Sequence, residues 1–420
     1  MGGIFRGWYI VGAAHILLAL IFGAAYSFGA LFSSIQTYFN ADRFSTASIF
    51  SFTALLYYVI GVFSGSLSDK SSVRIVVLCG IISLALGFGI SSLLSSSLTL
   101  FLLSFCVLVG LGVGLVYVPT VTTIQRWFVV YRGSASGIAL AGTGLGTLIG
   151  PIVAGELLKY LSWQTTMQVF AVAIAAIGCL SALVLKGRPE DVGLHPDGME
   201  PEQLAAGAVP QAARGMTLRD SVRLGRFWWY FVAIFLGSIG LFLALIHINP
   251  YAQQQGLSVT EANLLIGLIG VGNIGGRLVL GRIGDRMGPL KFLIVLTLTL
   301  AVLCGAWIAA QGFVALATFA VLFGAANGGC ISLYPAVAAS WFGTRNLGAI
   351  LGALYIAVGI AAVAGGSVAG FLFDVYQNYT LSIVLTGVCA LLSALAVLMA
   401  HRSHDERTEA SVFSHHIPRG

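Results

Sequence analysis

Charge is what this chain has least of. Among 420 residues there are 21 Lys or Arg and 15 Asp or Glu, together 9% of the sequence, against 58% hydrophobic residues. Water-soluble domains carry about 25% charged residues, so a chain this long and this apolar cannot surround itself with water. Cysteine is also sparse. Cys79, Cys106, Cys179, Cys304, Cys330 and Cys389 all fall inside apolar stretches with no CxxC spacing, which argues against a disulfide framework or a thiolate metal site. Histidine is as thin, with His15 and His247 alone in apolar stretches. No ligand cluster, nucleophile with its base, or nucleotide-binding loop can be read, so the chain is not expected to be an enzyme or to hold a metal or cofactor.

What is present is apolar length. Stretches able to cross about 30 Å of hydrocarbon occupy residues 8–32, 47–67, 75–97, 98–124, 134–158, 165–185, 228–250, 262–283, 290–310, 313–338, 347–372 and 380–400, twelve in all. The first is too long for a signal peptide and ends without a small-residue cleavage site, so it reads as a retained helix. Placing both termini inside leaves 18 Lys and Arg on cytoplasmic loops and only Arg43 and Lys159 outside. That asymmetry orients the chain in a plasma (inner) membrane with both ends cytoplasmic. It also accounts for the net charge of +6 without any nucleic-acid partner.

The chain repeats itself around a linker. Residues 186–226 break the helical pattern with a Pro-, Gly- and charge-rich segment, RPEDVGLHPDG among it. This divides the chain into a first six-helix bundle, 1–185, a cytoplasmic linker, 186–226, a second six-helix bundle, 227–402, and a cytoplasmic tail, 403–420. The segment Gly65–Arg74, GSLSDKSSVR, returns 216 residues later as GRIGDRMGPLK, and Pro119 returns as Pro335 at the same offset. Trp127-Phe128 returns as Trp341-Phe342 after 214 residues, and Trp8-Tyr9 as Trp229-Tyr230 after 221. Four coincidences at nearly one offset indicate a duplicated six-helix unit, an architecture in which substrate sits between the halves near the midplane.

Both loop segments resemble the GxLxD(R/K)xGx(R/K) motif of the major facilitator superfamily. The second keeps Gly281, Asp285, Arg286 and Gly288, and the first has Ser72 in place of its second glycine. The resemblance implies an all-α membrane fold of twelve helices in two six-helix bundles. It also implies a conformational latch at Gly65, Asp69, Arg74, Gly281, Asp285 and Arg286. Within the superfamily, WFVVYRGSASGIALAGTGLG from Trp127 resembles the start of helix five in monocarboxylate transporters. Arg277 stands where those carriers have their substrate-binding arginine, and the linker resembles their bacterial branch, which includes oxalate–formate exchangers. Two departures matter. Asn273 replaces an acidic residue of the animal carriers, and residues 347–372 lack the lysine of the oxalate exchangers. A single buried cation suits a monoanion better than a dianion.

Arg277 is the charge hardest to explain as structure. It lies eight residues before Asp285, roughly 12 Å along a helix, and an unpaired guanidinium in hydrocarbon is costly. Its planar fork matches a carboxylate; the alternative is structural pairing with carbonyls or headgroups. Asn273, one turn away, could donate to the same carboxylate, hold the guanidinium, or only pack. His247 corresponds to Tyr26 at the offset of 221, and both are candidates for substrate or proton handling. Tyr117, Tyr334 and Tyr355 place phenols in the spans, each needing a polar partner. Asn327 and His15 are weaker candidates.

The expected function is secondary active transport of small monocarboxylates of the L-lactate or pyruvate type, proton-coupled, in a bacterial homologue of the monocarboxylate transporters. The expected partners are the substrate, protons and the bilayer, with no obligate protein partner. The alternative is organic-anion exchange, suggested by a run like the superfamily's antiporter motif, Gly137, Gly146, Gly150, Pro151 and Gly155, with Ala154 replacing one glycine.

Overall fold

A backbone in hydrocarbon must satisfy its own N–H and C=O groups, so each long apolar stretch is driven into a helix. The computed structural model describes residues 5–40, 43–94, 96–199 and 215–403. It contains twelve long helices among the described residues: α1 (Arg6–Phe39), α2 (Arg43–Lys70), α3 (Val73–Leu93), α4 (Leu98–Trp127), α5 (Arg132–Leu157), α6 (Trp163–Val184), α7 (Gly225–Gln254), α8 (Val259–Met287), α9 (Pro289–Ala309), α10 (Gly312–Phe342), α11 (Leu347–Tyr376) and α12 (Thr380–Arg402). Eleven contain a stretch long and apolar enough to cross a membrane, and α2 adds 28 further helical residues packed between α4 and α11. Residues 200–214 of the expected linker and 404–420 of the expected tail lie outside the described residues.

Helix ends follow local chemistry. Ser258 and Glu261 form a reciprocal capping box at the start of α8, and the Ser258 hydroxyl and N–H hold the Glu261 carboxyl below its usual range. Pro289 opens α9 directly after Gly288, whose φ of 87° suits glycine.

Helices α1–α6 pack into one bundle and α7–α12 into the other. The outer helices α3, α6, α9 and α12 turn Ile75, Ile82, Val172, Leu180, Val302 and Leu391 outward as exposed apolar side chains, as hydrocarbon surroundings permit. Inside, glycine permits backbone contact. A Cβ on Gly142, Gly146 or Gly150 of α5 would collide with the carbonyls of His15, Ala19 or Gly23 on α1. The antiporter-like glycines Gly146 and Gly150 are therefore used for close helix packing. In the second bundle, Gly272 and Gly276 of α8 meet the carbonyls of Val321 and Ala325, while Gly324 and Gly328 of α10 meet those of Ile269 and Asn273.

The bundles close on each other at the end that carries α1's start and α12's finish, here the terminal face. Gly65 of α2 abuts Gly348 of α11, and Gly133 of α5 abuts Gly281 of α8, in each case too closely for a Cβ. Asp69 accepts from Gly348 N at 3.1 Å and Ala349 N at 3.0 Å, at the N-terminus of α11. It also pairs with Arg126, whose Nε donates to the Thr344 carbonyl at 3.2 Å. Asp285 mirrors it at the N-terminus of α5, accepting from Gly133 N at 2.6 Å, Ser134 N at 2.9 Å and the Ser134 hydroxyl. Each carboxylate thus meets the positive end of a helix in the opposite bundle. The duplication is imperfect here, because the counterpart of Arg126 at an offset of 214 is Ser340. Arg286 is exposed with no ion pair among the described residues, and Arg74 faces a separate cavity on the terminal face.

Two segments within the linker are docked. Asp197 accepts from Val129 N at 2.7 Å and Val130 N at 2.8 Å, fastening it to the first bundle. Met216 N donates to the Phe342 carbonyl at 3.0 Å, fastening the other end to the second.

Candidate functional site

Gly272 and Gly276 commit one face of α8 to α10, and the neighbouring face is free to look elsewhere. Ile266, Gly270, Asn273, Ile274 and Arg277, at helical spacings of three and four, line a cavity of about 340 Å³ between the bundles. The first bundle supplies Phe22 and Tyr26 from α1, Tyr58 from α2, Tyr117 from α4, and Thr143, Thr147 and Leu148 from α5. The second supplies Ser238 and Phe242 from α7, Asn327 and Tyr334 from α10, and Tyr355 from α11. The cavity extends from Arg277 toward the far face, past the point where Ile274 packs on Gly144. The terminal face beyond Arg277 is closed by the contacts of Gly137 with the Arg277 carbonyl and of Gly133 with Gly281.

Arg277 is the one formally charged residue among the described lining residues. It is 7% exposed, and its Nη1 donates to the Leu140 carbonyl and the Thr143 hydroxyl of α5, so the guanidinium reaches across to the first bundle. Part of the guanidinium is thus held structurally by a carbonyl. Its Nε has no hydrogen-bond partner, and no carboxylate pairs with it, among the described residues. A buried cation lacking a counter-ion is strongly disfavoured, so the charge of Arg277 is the dominant electrostatic feature of this cavity.

Around the cation the lining is aromatic and amide. The Tyr117 ring lies 5.5 Å from Phe22 and 5.5 Å from Tyr355, and Phe22 stacks on Tyr26 at 6.2 Å. Asn273 Nδ2 donates to Asn327 Oδ1 at 3.4 Å, so the two side-chain amides of the lining are linked across α8 and α10. The Tyr230 hydroxyl donates to the Tyr334 carbonyl at 2.8 Å, bracing α10 behind the cavity.

Of the residues singled out in the sequence, Arg277, Asn273, Tyr26, Tyr117, Tyr334 and Tyr355 come together in this lining. His247 does not: its Nδ1 faces the Tyr379 hydroxyl at 3.4 Å, and the two rings lie 5.3 Å apart between α7 and the start of α12. His15 points its Nδ1 at the Ile138 carbonyl at 2.7 Å, within the α1–α5 packing. Asn327 is more central than its sequence context suggests. Tyr58, Phe22 and Thr143 were missed; Tyr58 carries the same signal as Tyr117, a phenol in an apolar stretch, whereas nothing local distinguishes Thr143.

Comparison with known proteins agrees with this architecture. The family model described as the Major Facilitator Superfamily matches residues 14–313 and 256–417. The chain is 27% identical over 399 residues to monocarboxylate transporter 13 of Bos taurus, covering 94% of this chain and 89% of that one. It is 24% identical over 422 residues to monocarboxylate transporter 12 of Homo sapiens, covering 93% and 79%. Among solved structures, the human organic anion transporter MFSD10 superposes with a TM-score of 0.71 at 15% identity, covering 93% of this chain and 99% of that one. The proton:xylose symporter XylE superposes with a TM-score of 0.73 at 16% identity, covering 93% and 94%. At such identities these structures establish the shared fold.

Proposed function

This chain belongs to the Major Facilitator Superfamily and is homologous to monocarboxylate transporters, and from that premise we propose that it carries small monocarboxylates by alternating access with a proton as co-substrate. The observation that carries the reading is Arg277, a buried guanidinium with an unpartnered Nε in a cavity where no other described lining residue is charged. The cavity, about 340 Å³, lies near the lower end of volumes that hold small molecules.

In this reading the terminal face is cytoplasmic, as the loop charges require, and the structure is open outward. An anion entering from outside meets Arg277, receives further hydrogen bonds from Asn327 and the phenols, and leaves its short chain among Phe22, Tyr117 and Phe242. The pair is neutral, so rocking the bundles around it moves no bare charge through the low-dielectric centre. Gly137, Gly146 and Gly150 of the α5 run are used in packing on α8 and α1, whereas Gly155 meets no neighbour; exchange is the second reading, and a requirement for counterflow distinguishes it.

In this reading the proton is carried by groups away from the carboxylate. No Asp, Glu or His is among the described lining residues. Asp69 and Asp285 are the carboxylates that accept from backbone N–H groups of the opposite bundle, contacts that are lost when the terminal face opens. Asn273→Asp should install a titrating competitor for Arg277. Ionised, it would occupy the guanidinium; protonated, it would release it, so uptake should fall as pH rises, by up to about tenfold per unit across its titration. An unchanged pH profile would show that this position is remote from the coupling path.

The direct test is uptake of labelled L-lactate into liposomes under an inward proton gradient, with membrane potential clamped and the lumen free of carboxylate. Gradient-driven accumulation is expected. Uptake only after preloading with another carboxylate would replace symport by exchange, and no saturable uptake of any monocarboxylate would refute the reading.

A further inference from the structure

A second cavity, of about 490 Å³, opens on the terminal face between the α2–α3 turn and the chain leaving α6. Five cations line it: Lys70, Arg74, Arg126, Lys186 and Arg188. The two carboxylates there are already engaged. Asp69 is held by Arg126 and the α11 backbone, and Asp191 accepts from the backbone N–H of Arg188 at 3.1 Å. Lys70, Arg74, Lys186 and Arg188 form no ion pair among the described residues.

Two further observations point to an anion. Arg74 is partly exposed, but its Nε is buried with no hydrogen-bond partner among the described residues, so that one donor has given up water without receiving a protein acceptor. The cavity also contains the start of α3, a 21-residue helix whose N-cap, Ser72, supplies no side-chain hydrogen bond to the first turn. Free N–H groups at a helix N-terminus beside converging Arg and Lys form an environment suited to a multiply charged oxyanion.

The feature is not a by-product of the duplication or of a general excess of positive loop charge. The second repeat has Ser340 at the position of Arg126, and its own loop cations Arg282, Arg286 and Lys291 are exposed. All residues lining the cavity belong to the first half of the chain.

We propose that this cavity binds a phosphate group, presented either by an acidic phospholipid at the membrane surface or by a soluble phosphate compound. Arg74 donates through its guanidinium, Lys186 and Arg188 close the site from the linker side, and the α3 N-terminus contributes backbone donors. Basic pockets on the cytoplasmic side of membrane proteins provide the physical setting for such recognition. The site is separate from the central cavity and does not depend on what that cavity carries.

The test uses the full-length protein in detergent at fixed ionic strength. Inorganic phosphate is titrated calorimetrically, and retention of phosphatidylglycerol against phosphatidylcholine is measured by native mass spectrometry. Saturable phosphate binding identifies a soluble source, selective phosphatidylglycerol retention identifies a lipid source, and both together identify the shared chemistry. Arg74→Gln with Arg188→Gln should weaken the positive signal about tenfold or more, the scale of a lost charge-assisted hydrogen bond, while Arg282→Gln with Lys291→Gln should leave it unchanged. Absence of both signals from the wild-type protein overturns the proposal whatever the variants do, and so does equal weakening in the two double variants.

Discussion

Arg277→Ala is expected to lower kcat/KM for monocarboxylate uptake by about a hundredfold or more, with the protein still monodisperse in detergent. Removing one member of a buried, hydrogen-bonded charge pair costs about 2–5 kcal/mol, and each 1.4 kcal/mol is tenfold. The wild-type guanidinium is 7% exposed and reaches α5 through Leu140 and Thr143, so its loss also removes a bond across the bundle interface. Arg277→Lys separates the two effects. An ammonium keeps the charge without the planar fork, and should retain measurable uptake at much reduced apparent affinity. Wild-type uptake in Arg277→Ala would end the model of Arg277 as the carboxylate receptor.

Gly348→Trp is expected to abolish transport for a different reason, by preventing closure of the terminal face. A Cβ at Gly348 would collide with the Gly65 carbonyl and lie 2.8 Å from Asp69 Oδ1. The main obstruction is backbone, so no rotamer change relieves it. Shifting a two-state equilibrium from 99:1 to 1:99 takes about 5.5 kcal/mol, and an indole forced between two touching helices favours the state in which they are apart. The readout is a single cysteine at Ile266, which lines the outer part of the cavity, in a background lacking the native cysteines. An impermeant maleimide added from the far side should label it in the otherwise wild-type protein and label it poorly in Gly348→Trp. Equal labelling together with normal uptake would show that the α2–α11 contact does not control access.

These two positions differ in how visible they are before folding. Arg277 announces itself because a guanidinium in an apolar run has no inexpensive structural explanation, and Asp69 and Asp285 because the same motif occurs twice at one offset. Gly348 is one glycine among 53; its role exists only because Gly65 sits against it. The pair Tyr26 and His247 shows where repeat arithmetic ends. They share an offset of 221, yet Tyr26 lines the cavity while His247 turns toward Tyr379. An offset identifies the helix and the depth, whereas the face a side chain presents depends on helix rotation, set by packing against neighbours that differ between the halves.

The sequence by itself determined the membrane class, the count of long helices, the duplication and the one arginine that stands inside an apolar run. Those follow from solvation and periodicity, which act residue by residue along the chain. The tertiary structure alone decided that Asn327, Tyr58 and Thr143 share a cavity with Arg277, that Asp285 relies on a helix end and Ser134 where Asp69 also has Arg126, and that the terminal face is the closed one. Such features arise from contacts between segments far apart in sequence. The choice of closed face also reflects a balance between two packings open to one chain, and no local pattern of residues records which packing is occupied.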